Sequence, residues 1–304
     1  MVGSRDYELI DGHHHLWDLA RLPYTWLRPD APPRPFGDHT AIKRNFLPED
    51  YRAATAGLDI AASVHVEAMP GAADPAAESA WLDEIRPGDG IVAASIAHLD
   101  PRSPKLDAAL DALARHKTVR GIRTGIAFRA NSPWRFANAA GLARSDDFRR
   151  GIARIAARNH IVEMILLPEQ IVELVGLADA HPNTPFVINH MATLEPGFED
   201  VWRAGVREAA NRPNIHMKLS GMWTIARDWN EVAIRMPVRV AVEAFGAARC
   251  LWGSNLPIEG LMCGATRQIE MLHRVLGDLP MPDRAAIFGG TAARLYRIGG
   301  AARS

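Results

Sequence analysis

Tyr7-Glu8-Leu9-Ile10-Asp11-Gly12-His13-His14-His15 is the stretch that decides the fold. Its apolar residues predict a short buried strand, Tyr7–His13. The position just after such a strand is where an open, doubly wound sheet carries its glycine-rich phosphate loop. Asp11-Gly12 and three histidines stand there instead, so a nucleotide-binding sheet yields to a closed barrel. The same grammar repeats downstream. Runs rich in Val and Ile predict strands over Ala61–Glu67, Ile91–His98, Val119–Gly125, Ile161–Leu167, Pro185–His190, Asn214–Ser220 and Cys250–Asn255. Amphipathic segments alternate with them, among them Pro75–Ile85, Lys105–Arg115, Asp147–Arg158, Glu169–Ala180, Pro196–Ala210, Val232–Phe245 and Thr266–Leu276. Eight strands alternating with helices predict a (β/α)8 TIM barrel, with residues 1–304 forming a single domain.

Composition narrows the function. With 304 residues and 48% hydrophobic content the chain can bury a large core. Lys+Arg 35 balance Asp+Glu 35, so the basic excess of a nucleic-acid binder is missing and a membrane-surface role is disfavoured. The opening Met-Val-Gly-Ser-Arg-Asp-Tyr-Glu carries charge where a secretory signal needs an apolar run. Cys250 and Cys263 form neither a disulfide framework nor a zinc ribbon. A cytoplasmic protein acting on a small-molecule substrate is the expectation. Barrels often associate, so a homo-oligomer is among the expectations too.

The chemistry gathers where strands end, which in such barrels is the face that holds the site. His13 and His15, two apart on a strand, share one face while His14 points away. Two imidazoles at a barrel mouth can hold one metal or polarise one carbonyl. In Ser63-Val64-His65-Val66-Glu67 the valines suit the helix-packing face, which would turn His65 and Glu67 toward the axis. The plain alternative for Glu67 is an ion pair with an inward Arg or His. Arg123, between Gly121 and Gly125, can grip a carboxylate bidentately, or could simply neutralise Glu163. His190 ends the sixth strand, and Lys218 lies on the seventh with His216 and Ser220, opposite Ile215, Met217 and Leu219. Two loops, Arg21–Asp38 and Phe128–Asp146, follow strands and offer Tyr24, Trp26 and Trp134 as pocket walls.

Taken in order, Asp11-Gly12-His13-His14-His15-Leu16-Trp17-Asp18, His65-Val66-Glu67-Ala68, Gly121-Ile122-Arg123, Asn189-His190, Lys218-Leu219-Ser220-Gly221 and Trp252-Gly253-Ser254-Asn255-Leu256-Pro257 resemble the motif set of the amidohydrolase superfamily. The likeness covers nearly the whole chain. It points to the lactonase-like branch of amidohydrolase family 2, with the 2-pyrone-4,6-dicarboxylate and sugar-lactone lactonases. The resemblance implies that His13, His15 and His190 surround the carbonyl under attack and that the strand-eight residue activates water. Here Asn255 stands where an aspartate usually sits, and a carboxamide cannot be a general base. Strand five offers Glu163, Ile165 and Leu167 but no histidine. Both departures weaken a metal site, so the first expectation needs no cofactor, with a divalent metal such as zinc on His13 and His15 as the alternative.

The function so implied is hydrolysis of a lactone or similar cyclic ester of a small carboxylate or sugar acid. His190 or Glu67 would activate the water, His13 and His15 would polarise the carbonyl, Asn255 would orient the water or donate to the oxyanion, and Arg123 and Lys218 would bind the substrate. A metal-dependent non-oxidative decarboxylase of an aromatic or unsaturated acid is the second reading. A ligand-binding barrel that has lost turnover is the third.

Overall fold

A computed structural model gives the structure of residues 7–69 and 71–299. Eight strands appear where the sequence places them: β1 (Leu9–His14), β2 (Ile60–Val66), β3 (Val92–His98), β4 (Val119–Gly125), β5 (Ile161–Ile165), β6 (Phe186–Ile188), β7 (Ile215–Leu219) and β8 (Cys250–Trp252). They form one sheet in sequence order, and every neighbouring pair is parallel. The barrel closes between β1 and the chain just beyond β8. There Asn255 N–H donates to the His13 carbonyl at 2.7 Å and His15 N–H to the Leu256 carbonyl at 2.8 Å.

Two buried apolar clusters separate the inside of the barrel from its outside. The larger mixes strand residues such as Ile122, Met164, Ile188 and Met217 with residues of the surrounding helices. The smaller draws on strands alone, with Ile10, Val64, Val66, Ala94, Ile96, Ile161, Val187 and Leu251, together with Ala292, Leu295 and Tyr296. It is the barrel interior, closed at the strands' N-terminal end by the segment 292–296. This corrects the expected facing of β2. Val64 and Val66 point inward and His65 outward, because branched aliphatic residues fill barrel interiors as readily as they pack under helices. On β7 the expected facing holds, with Ile215, Met217 and Leu219 in the outer cluster.

The seven anticipated helices are present with shifted ends, for example Ala77–Asp89, Ile171–Ala180 and Ala265–Val275. Helical regions outside that set include Pro48–Ala54 and the consecutive short segments Met281–Ala285, Ala286–Gly290 and Thr291–Leu295. The first matters to the site, since Tyr51 Oη donates to the Asp11 carboxylate at 2.9 Å. Among the described residues no helix is long and apolar enough to cross a membrane.

Candidate active site

Asp11 fixes the end of β1. Its buried carboxylate accepts His13 N–H at 3.0 Å, Ser254 N–H at 2.8 Å and Ser254 Oγ–H at 2.6 Å, besides Tyr51. The β1–β2 register slips between Asp11 and His14, and the histidines then part company. His14 turns toward β2, 2.8 Å from Ser63 Oγ. His13 and His15 bring their Nε2 atoms within 3.3 Å of each other. His15 Nδ1 lies 2.7 Å from the Val66 carbonyl, and its Nε2 lies 3.2 Å from Asn255 Oδ1.

Below this pair lies a buried ionic cluster. Lys218 Nζ donates to both oxygens of Glu163, at 2.8 and 2.7 Å, and lies 3.3 Å from His13 Nδ1. Tyr296 Oη and Asn189 Nδ2 donate to the same carboxylate at 2.6 and 2.9 Å. Lys218 and Glu163 are both wholly buried. Burial lowers the Lys218 amine to about 8 despite its carboxylate partner, so it remains charged at neutral pH. Lys218, expected as a substrate-binding residue, therefore lies under the site and is not among the residues lining its cavity.

His190 forms one wall. Its Nδ1 is 2.9 Å from Ser220 Oγ, and its ring centroid is 4.6 Å from that of His13. The backbone carrying it is unusual, because His190, Met191, Ala192 and Thr193 all have φ between 48° and 57°. Opposite the ring stands Gly221, where a Cβ would come within 2.5 Å of the imidazole. The turn 221–224 is clamped by Glu259, whose buried carboxylate accepts the N–H groups of Gly221, Trp223 and Thr224 at 2.8, 2.6 and 3.3 Å. Burial pushes the Glu259 carboxyl up to about 8, and the three N–H donors pull it back.

The cavity above has a volume of about 290 Å³. Of the anticipated residues, His15, His190, Asn255, Arg123, Trp26 and Trp134 line it. His13 lies one layer deeper. Glu67 faces a second cavity between β2, β3 and the helix Ala77–Asp89, as does His65. Glu67 spends one oxygen on Arg123 Nε at 2.7 Å and the other on Met69 N–H at 2.7 Å. It is the ion-pair partner of Arg123 and is not aimed at the site. Tyr24 is buried, with its hydroxyl on Glu78 at 3.0 Å. Sequence reasoning missed Arg34, Phe36, Arg135 and Thr224, which all line the cavity. The Pro-rich stretch around Arg34 was the available signal, since a stiff loop can hold a guanidinium over a barrel mouth. No carboxylate is among the lining residues, whereas Arg34, Arg123 and Arg135 are. Among the described residues, Arg34 and Arg135 have no ion-pair partner.

Burial, reinforced by nearby cationic groups, holds the imidazoles of His13, His15 and His190 well below their ordinary range. All three are neutral at pH 7. A divalent metal on His13 and His15 is the alternative expectation, and His13 Nε2, His15 Nε2 and Asn255 Oδ1 do converge. Yet that donor set contains no anion, and the Lys218 ammonium stands directly behind His13. Among the described residues no group of three His, Cys, Asp or Glu side chains is arranged to hold an ion. The donors present do not fit a divalent-metal centre.

Comparison with known proteins agrees with this architecture. Residues 10–298 match a family model described as Amidohydrolase. The chain is 30% identical over 302 residues to an L-fucono-1,5-lactonase of Burkholderia ambifaria, covering 95% of each chain. It is 29% identical over 295 residues to the uncharacterized protein y4mH of Sinorhizobium fredii, covering 96% of this chain and 99% of that one. A solved amidohydrolase of Burkholderia multivorans with bound zinc superposes with a TM-score of 0.77 at 25% identity, over 96% of this chain and all of the other.

Proposed function

The chain belongs to the amidohydrolase family, and from that membership we propose that it hydrolyses a lactone bearing a carboxylate or similar anionic group. The observation that carries the reading is the lining of the cavity. Neutral histidines and a carboxamide lie at its floor, three arginines lie around them, and no acidic side chain faces in. Arg34 and Arg135, which have no ion-pair partner among the described residues, favour an anionic ligand. The likeness to a lactonase supports the cyclic ester.

In this mechanism the lactone carbonyl oxygen accepts the one hydrogen of the His13–His15 pair, the His13 Nε2–H, which turns to it from His15 Nε2 and polarises it. His190, whose Nδ1 lies 2.9 Å from Ser220 Oγ, acts in this mechanism as the tautomer with its hydrogen on Nδ1 and its Nε2 lone pair toward the cavity, and takes a proton from water as the water oxygen attacks the carbonyl carbon. The tetrahedral intermediate collapses, the ring C–O bond breaks, and His190 returns the proton to the departing alkoxide. The product is an open hydroxy acid. Asn255 orients the water, and the Arg123 N–H groups left over from Glu67 hold the substrate's anionic group. Glu67 has no part in the proton transfer.

The test is acid release from a panel of neutral and carboxylated lactones, run on protein stripped by chelator with metal loss checked by elemental analysis. Turnover surviving chelation, faster on the carboxylated lactones and reduced about 10²–10⁴-fold by His190→Asn, is the expected result. Release of carbon dioxide without ring opening would replace this reading with the decarboxylase one. Tight binding without product would leave a binding barrel.

A further inference from the structure

We propose that Lys218 is a positioning residue that fixes the proton of His13 on Nε2, making the His13–His15 pair a hydrogen-bonding edge and not a metal chelate. The proposal deepens the lactonase reading and rests on it only for the meaning of that edge in catalysis.

The Lys218 ammonium has three hydrogens and no lone pair. Two go to Glu163, at 2.8 and 2.7 Å, and the third faces His13 Nδ1 at 3.3 Å. Glu163 is held in turn by Tyr296 and Asn189, so the ammonium cannot turn away without unpairing a buried carboxylate. His13 Nδ1 is therefore an acceptor, and a neutral imidazole then carries its hydrogen on Nε2. At the other end, the Val66 carbonyl can only accept, so His15 holds its hydrogen on Nδ1, 2.7 Å away. His15 Nε2 is left with a lone pair, 3.3 Å from His13 Nε2.

Three acceptor positions thus surround one spot: His15 Nε2, Asn255 Oδ1 and, were its proton moved, His13 Nε2. As the chain stands, the single hydrogen of His13 occupies it. A dication bound there needs that hydrogen gone from Nε2, which puts it on Nδ1 against the Lys218 ammonium. It would also sit one imidazole away from a fixed positive charge. Histidine ligands of metals ordinarily donate their far nitrogen to a carboxylate or carbonyl. His15 has that arrangement; His13 has the reverse.

The test uses zinc as the probe and needs no substrate. Histidine-labelled protein gives the tautomer of His13 from its ¹⁵N shifts, assigned by loss of the signals in His13→Gln. Zinc affinity is measured by calorimetric titration of wild type, Lys218→Met, and the charge-balanced pair Lys218→Met with Glu163→Gln. The wild type should show His13 protonated on Nε2 and bind zinc weakly. The charge-balanced variant should shift the proton to Nδ1 and bind zinc at least about tenfold tighter, in the range that outer-shell groups usually command. A wild-type His13 protonated on Nδ1 would overturn the proposal, as would unchanged zinc affinity in a folded variant. Should both variants fail to fold, the wild-type spectrum still decides. A lactone panel that stays silent would sink the functional reading and leave these two measurements untouched.

Discussion

His65 illustrates how little room a buried imidazole has to change its charge. It is 1% exposed with its Nε2 3.3 Å from the Leu16 carbonyl, and burial lowers its pKa to about 4. In an unfolded chain the same group titrates near 6.5. Between those values the unfolded state binds a proton that the native state refuses. The His65 contribution is therefore complete above pH 6.5 and is lost as pH falls toward 4. At about 1.4 kcal/mol per pH unit, moving from pH 7 to pH 5 costs about 2 kcal/mol from this residue alone. Urea midpoints at the two pH values should show that loss, and His65→Gln should shrink it; an equal loss in the variant would reject the assignment. At this scale the sequence was readable in part. His15, His190, Arg123 and Asn255 converge on one cavity as their strand-end positions suggest. Glu67, His65 and Lys218 do not line it, and a polar side chain looks the same in a sequence whether it faces a ligand or pairs with a buried neighbour. Only the contacts separate Arg123–Glu67 and Lys218–Glu163 from the inviting but absent Arg123–Glu163.

The segment His190–Thr193 carries its consequences as an element. Four successive residues in left-handed geometry cost roughly 1–2 kcal/mol each where the residue is not glycine, and Thr193, at φ 48°, is β-branched. Such strain persists where surroundings over-determine it, typically beside a site. Thr193→Asn keeps the volume and installs a residue that tolerates this geometry. It should stabilise the protein by about 0.5–1 kcal/mol, raising Tm by about 1–4 °C. A lower melting temperature in calorimetry would mean that the turn is not strained there. Nothing in the sequence announced the turn, and β6 was expected to run on to His190 where it stops at Ile188. The other strands and the seven long helices were legible because apolar periodicity is strong over such lengths. Facing was harder. Alternation in β2 established two faces without saying which was inside, since the residues this strand turns inward, Ala62, Val64 and Val66, are as apolar as those that pack under helices. The helix Pro48–Ala54 escaped notice because seven residues hold barely two turns of pattern.

Across the whole molecule 35 basic and 35 acidic residues cancel, yet the cavity is lined by guanidinium groups without a facing acid. The attraction for an anion is therefore local, focused at the mouth of a neutral body. Lactone hydrolysis converts an uncharged ester into a carboxylate, so under the proposed function each turnover would leave the cavity holding a molecule one charge more negative than the one it admitted. On the proposed lactonase reading, the arginines that speed arrival would also slow departure, and release of the hydroxy acid would become the step that limits throughput. Ionic strength should then pull the two steady-state constants in opposite directions. Between about 0.05 and 0.5 M salt, where the screening length shrinks severalfold, kcat/KM for a carboxylated lactone should fall while kcat rises and inhibition by the hydroxy acid weakens. If both constants fell together, chemistry and not departure would set the pace. An enzyme of this design would run fastest where another reaction promptly consumes the acid it makes.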